Sequence, residues 1–522
     1  TMTKVKTTVL IILDGWGMAN PKNKGNAITP QTAPNYFSWL KKFPNSELEA
    51  GGEAVGLIKG QEGNSEAGHL NIGAGRVVKQ DDLYVSDAVK DGTFFKNSAF
   101  LQALHHVKKY DTAAHVMGLL SNHNSAHSCP DHLRGLLDLF FTQGIHKVYL
   151  HLFTDGRDSG QHDALKFLKK LQGTFHGYEQ VATIMGRLYG MDRNKNWDRT
   201  EKAYEAIVLG EGRKAESADE ALTQAYNSGE SDEFIQPTII TKEGKPLATV
   251  KDNDILFFFN LRSDRTRQIT KAFVQNDFEK INKGAFKRKS IPKNTRFVAL
   301  TDFGPDLPGV LTAFPSRDVA NSLVQVLCPR KQLYLAESEK FAHVTYFLNG
   351  GYAQHFCDEE WVKIESGKTE DFVKEPQMKA EEVADYAVKS IESGKFEFMA
   401  VNFANADMVG HTGNFEVAKK AINVLDGVLN KIVEAVLKTN NQCIITADHG
   451  NAEEMINLQT GEVDSEHSVN PVPFILVADA ETIKKWKAPK KLKNGKLADV
   501  APTILKIMGI EQPTEMTGKA LF

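Results

Sequence analysis

Short apolar, β-branched or aromatic runs alternate with amphipathic stretches along this chain, and that alternation restricts the fold more than any other feature. Runs at 8–13, 114–120, 147–153, 181–185, 255–260, 296–300, 332–336, 398–403, 442–446 and 473–477 read as strands. Between them, 131–143 sets Leu133, Leu136, Leu137 and Phe140 on one helical face, and 380–393 and 414–438 repeat at the same spacing. A short helix is expected at 503–508, with Pro502 ahead of it and Gly509 closing it. The polar segment 215–233 reads as a surface helix and loop. Strands this apolar, interleaved with helices, belong to an α/β architecture whose sheets are mostly parallel and covered on both faces. Several runs end in polar residues: Asp14-Gly15, Asp155-Gly156-Arg157-Asp158, Gly186-Arg187, Leu261-Arg262 and Asp448-His449-Gly450. Open α/β sheets bind ligands at the carboxyl ends of their strands, so one site or two facing sites are expected there.

Composition narrows the function. Sixty-three basic side chains oppose sixty-six acidic ones, so no global electrostatic case for a nucleic-acid partner exists. With 41% hydrophobic and 25% charged residues the chain reads as globular, not collagen-like, coiled-coil or disordered. Its 522 residues suffice for about two to four domains. The first apolar run stops at Asp14, too short for a secretory core or a membrane span, so no membrane partner and a cytoplasmic location are expected. Cys129, Cys328, Cys357 and Cys443 are far apart with no Cys-x-x-Cys spacing, and reduced thiols are expected.

The polar residues suggest a metal centre. Asp14 and the Asp448-His449 pair end strands, Asp407 and His411 are spaced to share a helical face, and His467 shortly precedes the strand at 473–477. Carboxylates and imidazoles together suit a divalent ion such as manganese or zinc, and the lack of cysteine ligands argues against a closed structural zinc site. The loop Gly60-Gln61-Glu62-Gly63-Asn64-Ser65-Glu66-Ala67-Gly68-His69 supplies a candidate nucleophile in Ser65. Its glycines let backbone approach a phosphate, and a helix starting near Ser65 would point N–H groups at an anion. Ser65 could equally be a plain helix cap. A serine hydroxyl is a weak nucleophile at neutral pH unless a base or a metal activates it.

Taken together, Leu13-Asp14-Gly15-Trp16-Gly17, Gly63-Asn64-Ser65-Glu66-Ala67-Gly68-His69, Asp155-Gly156-Arg157-Asp158, Met191-Asp192-Arg193, Asn405-Ala406-Asp407-Met408-Val409-Gly410-His411 and Thr446-Ala447-Asp448-His449-Gly450-Asn451 resemble the cofactor-independent phosphoglycerate mutases, in order and over nearly the whole chain. The metal half alone fits the wider alkaline phosphatase superfamily; the arginine half separates the mutases from it. The resemblance implies an alkaline-phosphatase-like three-layer α/β domain, residues 1–79 and 313–522, split by an inserted α/β transferase domain, 80–312. Hinges of a closing clamp are expected near 77–82 and 308–315.

The resemblance also implies site residues. Asp407, His411 and His467 would hold one divalent ion, and Asp14, Ser65, Asp448 and His449 the other. Manganese is the first choice, with magnesium, cobalt or zinc as alternatives. His127, Arg157, Asp158, Arg187, Arg193, Arg262, Arg265 and Lys340 would bind substrate, arginine forks gripping carboxylate and phosphate. Asn122–Ser128 is one residue longer than the family turn, so His123 rivals His127. The implied activity interconverts 3- and 2-phosphoglycerate through a phosphoserine at Ser65, with Asp158 as general acid and base, by a monomer that needs no 2,3-bisphosphoglycerate. Alternatives are a metal-dependent phosphatase or another phosphate-ester mutase sharing Ser65 and the metals, and a metal-stabilised anion-binding protein without turnover.

Overall fold

The computed structural model describes residues 5–317, 319–367 and 372–522. The chain divides into two compact units, Thr1–Gln80 with Asp318–Phe522, and Asp81–Arg317. Each is α/β.

In the first unit eight strands form one sheet, in the order Glu360–Ile364, Gln332–Glu337, Phe398–Phe403, Thr8–Leu13, Gln442–Thr446, Val472–Val477, Asn45–Glu49 and Gly495–Lys496. The central strands are buried along their whole length, as near-continuous apolar runs in a covered parallel sheet must be. Leu13 pairs with Phe403 and Ile12 with Thr446, so three parallel strands end almost level. Val472–Val477 runs antiparallel with Phe474 opposite Thr446, which brings its beginning to that same end. The helix Phe415–Lys438 buries Val417, Ala421, Leu425, Val428, Ile432 and Val436, a stripe repeating every three or four residues. Asn414 caps it by accepting a hydrogen bond from the Val417 N–H at 3.2 Å.

The second unit carries a nine-stranded sheet, in the order Val310–Phe314, Arg296–Thr301, Ile255–Phe258, Ala114–Leu120, Val148–Thr154, Glu179–Gly186, Thr238–Lys242 and Arg213–Ala215, with Lys245–Pro246 paired to Thr238–Lys242. Its inner strands send alternate residues into two apolar clusters. Val116, Leu150 and Leu152 join Leu133, Leu136 and Phe140 of the helix Pro130–Thr142. Met117, Leu119 and Phe153 join Trp197, Tyr204 and Ile207 of the helix Trp197–Val208. Period-two alternation thus builds helix layers on both faces.

Four readings of the sequence need correction. The second boundary between units falls after residue 317, where 312 was expected, because Val310–Phe314 is itself a strand paired in parallel with Arg296–Thr301. The strands Asn45–Glu49, Thr238–Lys242 and Val310–Phe314 were not expected; Asn45–Glu49 is mostly polar and lies toward the sheet edge. The last helix spans Val500–Met508 and takes Pro502 into its first turn, where a missing N–H has no intrahelical partner to lose. Finally, Cys328 and Cys357 are joined as a disulfide with Cα atoms 6.0 Å apart, while Cys129 and Cys443 stay free and buried. Both bridged residues precede neighbouring parallel strands, in which Leu333 pairs with Glu360. That register brings together cysteines 29 residues apart in sequence, which no spacing motif announces.

The second unit buries several imidazoles. His115 Nε2 lies 3.1 Å from Asp254 Oδ2, His115 Nδ1 2.9 Å from His151 Nε2, and His151 Nδ1 2.9 Å from Thr183 Oγ1. Burial, reinforced by the neighbouring His115, holds His151 well below the usual histidine range. Burial likewise pushes His132, at 2.8 Å from Ser86 Oγ, down to about 4. An unfolded histidine takes up its proton near pH 6.5, whereas His151 and His132 resist protonation in the fold. Stability is therefore complete above about pH 6.5 and is lost as pH falls toward 4, on the order of 3 kcal/mol for His132 alone. The urea midpoint should fall across that window, and fall less in His132→Gln. A midpoint with the same pH slope in both proteins would contradict the buried neutral imidazole.

Candidate active site

In the first unit the carboxyl ends of the sheet collect the proposed ligands. Asp14 follows Thr8–Leu13, Lys340 follows Gln332–Glu337, Asp407 sits in the helix Asn405–Gly410 after Phe398–Phe403, and Asp448 and His449 follow Gln442–Thr446. Gly15 makes the first turn possible: its φ is +75°, and a Cβ there would meet the Asp407 Cα at 2.6 Å.

Ser65 opens the helix Ser65–Ala74, but the cap is Asn64, whose side chain accepts from the Ala67 N–H at 2.8 Å. The Ser65 hydroxyl is thereby left for other work. It donates to Asp14 Oδ1 at 3.0 Å, lies 3.1 Å from His449 Nε2, and accepts from Lys340 Nζ at 2.8 Å. Lys340 Nζ also reaches Asp14 Oδ1 and Asp407 Oδ2, each at 2.7 Å. Lys340, read from the sequence as a substrate residue, thus lies inside the carboxylate cluster. Beside it, Asp407 Oδ1 is 3.2 Å from both His411 Nε2 and His467 Nε2, which are 3.1 Å apart. The His467 ring stacks on His449 at 3.9 Å. Backbone carbonyls of Ser465 and Gly63 fix the other nitrogens of His411 and His467, at 2.7 and 2.8 Å.

The electrostatics favour added cations. Three buried carboxylates, Asp14, Asp407 and Asp448, face one ammonium. Burial opposes ionisation of Asp14 and Asp407, yet Lys340 and the neighbouring histidines hold both well below the usual range. Burial also disfavours charge on His449, but Asp448, Asp14 and Asp407 overrule it and push it up to about 10. Asp448 Oδ2 is buried and has no hydrogen-bond partner among the described residues. Ligand atoms of Asp407, His449 and His467 lie within 4.8 Å of one another, as do those of Asp14, His69 and Asp448. Such mixed oxygen and imidazole sets, carrying excess negative charge, fit divalent ions.

In the second unit another group gathers at strand ends. Arg187, buried, donates to Asp155 Oδ1 at 2.7 Å and to Asp158 Oδ2 at 3.1 Å. Asp158 Oδ2 also accepts from Ser125 Oγ at 2.6 Å. Asp264 pairs with Arg193 at 2.6 Å and with Arg262 at 3.5 Å. Arg265 is pushed down to about 10 by burial first, then by Arg193, Arg187 and Arg157. Arg157 is half-exposed and 3.6 Å from Glu233. His127 is held well below the ordinary range by burial and by Arg187 and Arg262, and its Nδ1 has no hydrogen-bond partner among the described residues. His123 is exposed and turned to Asp131 at 3.1 Å. The geometry therefore groups His127, not His123, with the arginines.

The segment 85–305 matches the family described as BPG-independent PGAM N-terminus. The chain is 44% identical to a 2,3-bisphosphoglycerate-independent phosphoglycerate mutase of Clostridium acetobutylicum, over 99% of both chains. It is 46% identical to a second such mutase, numbered 2, of Methanosarcina barkeri, over 98% of both. The chain belongs to the 2,3-bisphosphoglycerate-independent phosphoglycerate mutase family. A solved structure of Leishmania mexicana phosphoglycerate mutase, determined at low cobalt concentration, superposes with a TM-score of 0.79 at 27% identity, covering 99% of this chain and 98% of that one.

Around this mutase-family site the structure adds residues the sequence reading missed. His69 Nδ1 lies 2.8 Å from the Ser65 carbonyl oxygen and 3.3 Å from Asp448 Oδ2. Asn402 Nδ2 donates to Asp14 Oδ2 at 2.9 Å and lies 3.0 Å from His69 Nε2. Asn451 Nδ2 donates to Asp407 Oδ1 at 3.1 Å. Asp155 and Asp264 hold the arginines. Asn402 could have been noticed as an amide inside the apolar run 398–403. Because it orients a proposed ligand, Asn402→Ala should weaken divalent-cation binding about 10- to 100-fold. Titration calorimetry on chelator-stripped protein measures this, and unchanged affinity would contradict the supporting role.

Proposed function

We infer that the chain interconverts 3- and 2-phosphoglycerate in glycolysis and gluconeogenesis, without 2,3-bisphosphoglycerate, by a phosphoryl relay through Ser65. The observation that carries this reading is the Ser65 hydroxyl itself, released from capping and held among Asp14, His449 and Lys340. Two divalent ions fit the donor sets, one on Asp407, His411 and His467 and one on Asp14, Ser65, Asp448 and His449; manganese is our first choice. When bound, such ions supply positive charge that lowers the serine's pKa and neutralises phosphoryl oxygens.

The chain's own residues do the rest. Ser65 loses its proton to solvent and attacks phosphorus, the ester bond to glycerate breaks, and phosphoserine forms. The Lys340 ammonium, 2.8 Å from the oxygen, stabilises negative charge there. Asp158 delivers a proton to the leaving oxygen and then takes the proton of the other hydroxyl, which attacks the phosphoserine. His127, Arg157, Arg187, Arg193, Arg262 and Arg265 hold the glycerate carboxylate and the phosphate. Our reading is of a monomer acting on a small molecule. Among the described residues no helix is long and apolar enough to cross a membrane; a cytoplasmic enzyme is our reading of its glycolytic role.

The test is conversion of 3- to 2-phosphoglycerate, coupled to enolase, by protein stripped with a chelator and reloaded with manganese. Activity is expected to require the metal and no bisphosphate. Faster release of inorganic phosphate than isomerisation would replace the mutase reading with a phosphatase. Asp158→Asn should fold normally and lose about 100- to 10,000-fold in kcat; a near-normal rate would move the acid–base role to another group.

A further inference from the structure

The second unit also holds a cluster that the proposed reaction does not use. His123, Cys129 and Asp131 bring one ligand atom each within 4.8 Å of one another. His123 Nε2 lies 3.1 Å from Asp131 Oδ2, and both side chains are more than half exposed. Cys129 is buried beneath them. We propose that His123, Cys129 and Asp131 form a third metal site, for a zinc-class divalent transition ion, on the loop that precedes the helix Pro130–Thr142.

The chemistry selects the ion. A thiolate is a soft donor, imidazole is intermediate and a carboxylate is hard; together they suit zinc or cobalt far better than magnesium or calcium. Three protein ligands leave a fourth, tetrahedral position to water, and the exposed His123 and Asp131 give the ion a path from solvent. In the metal-free protein two effects on the thiol oppose each other. Cys129 is the residue just ahead of a helix of 13 residues, where the partial positive charge of the helix end stabilises an anion. Burial, with the Asp131 and Asp82 carboxylates, holds the Cys129 thiol above its ordinary range against the backbone N–H groups of Asp131 and His132 that lower it, so the ion itself must displace the thiol proton. On binding, the thiol proton passes to solvent, so affinity rises with pH. The site clasps both ends of the segment that carries Ser125, bonded to Asp158, and His127. Its function would be to fix that segment, and it takes no part in the phosphoryl relay.

Cobalt is the probe, because a thiolate–cobalt bond gives a charge-transfer absorption that oxygen and imidazole ligands do not. The carboxylate–histidine cluster of the first unit contains no cysteine. Cys443 is fully buried in a strand and Cys328 and Cys357 are bridged, so Cys129, buried but flanked by the exposed His123 and Asp131, is the thiol placed to bind cobalt. The full-length protein, stripped and then titrated with cobalt, should develop this band with one equivalent beyond those taken up by the first unit, and zinc should abolish it. The band should be missing in Cys129→Ser and in the double variant His123→Ala, Asp131→Asn, whose altered side chains are exposed and leave the core intact. Absence of the band in the parent protein, or its persistence in the folded double variant, would overturn the site.

Discussion

The first unit's chemistry rests on one buried ammonium. Lys340 Nζ lies 2.7 Å from a carboxylate oxygen of Asp14 and of Asp407, and 2.8 Å from Ser65 Oγ. Charges removed from water are costly unless closely paired. Here a single positive group faces three buried carboxylates, so the pairing is incomplete. That shortfall explains why His449 is pushed up to about 10 and why the cluster has the character of a cation site. Gly15 and the nearly level strand ends are what bring Asp14, Asp407 and Asp448 together.

The second unit poses the opposite problem, an excess of positive charge. Asp155 and Asp264 each hold arginines in place. Burial, reinforced by the remaining crowding, pushes Arg265 down to about 10 and holds His127 well below its ordinary range. The His127 Nδ1, buried without a hydrogen-bond partner among the described residues, suits the anionic, hydroxyl-bearing ligand we propose. Asp158 is shared between Arg187 and Ser125, an anchoring that suits the proton transfer we propose for it.

Much of this was legible in the sequence, for definable reasons. A covered parallel sheet demands continuous apolar strands, so their polar ends at Asp14, Asp448 and Arg187 stood out. Ser65 was legible as a candidate, but only Asn64 taking the cap shows that its hydroxyl is not the helix cap. Long-range register was invisible, and with it the Cys328–Cys357 bridge and the sheet membership of Val310–Phe314. His69 and Asn402 escaped notice because their roles arise from contacts across 333 and 388 sequence positions. The choice between His123 and His127 likewise required burial, which a loop sequence does not encode.

The central claim is that the Ser65 hydroxyl is the group that accepts phosphate. It is tested most directly by acid-quenching the manganese-loaded protein during turnover of 3-phosphoglycerate and mapping phosphorylated peptides by mass spectrometry. One phosphoryl group on Ser65, absent from metal-free protein, is the predicted result. A phosphoryl group on any other residue, or none during active turnover, would contradict the account.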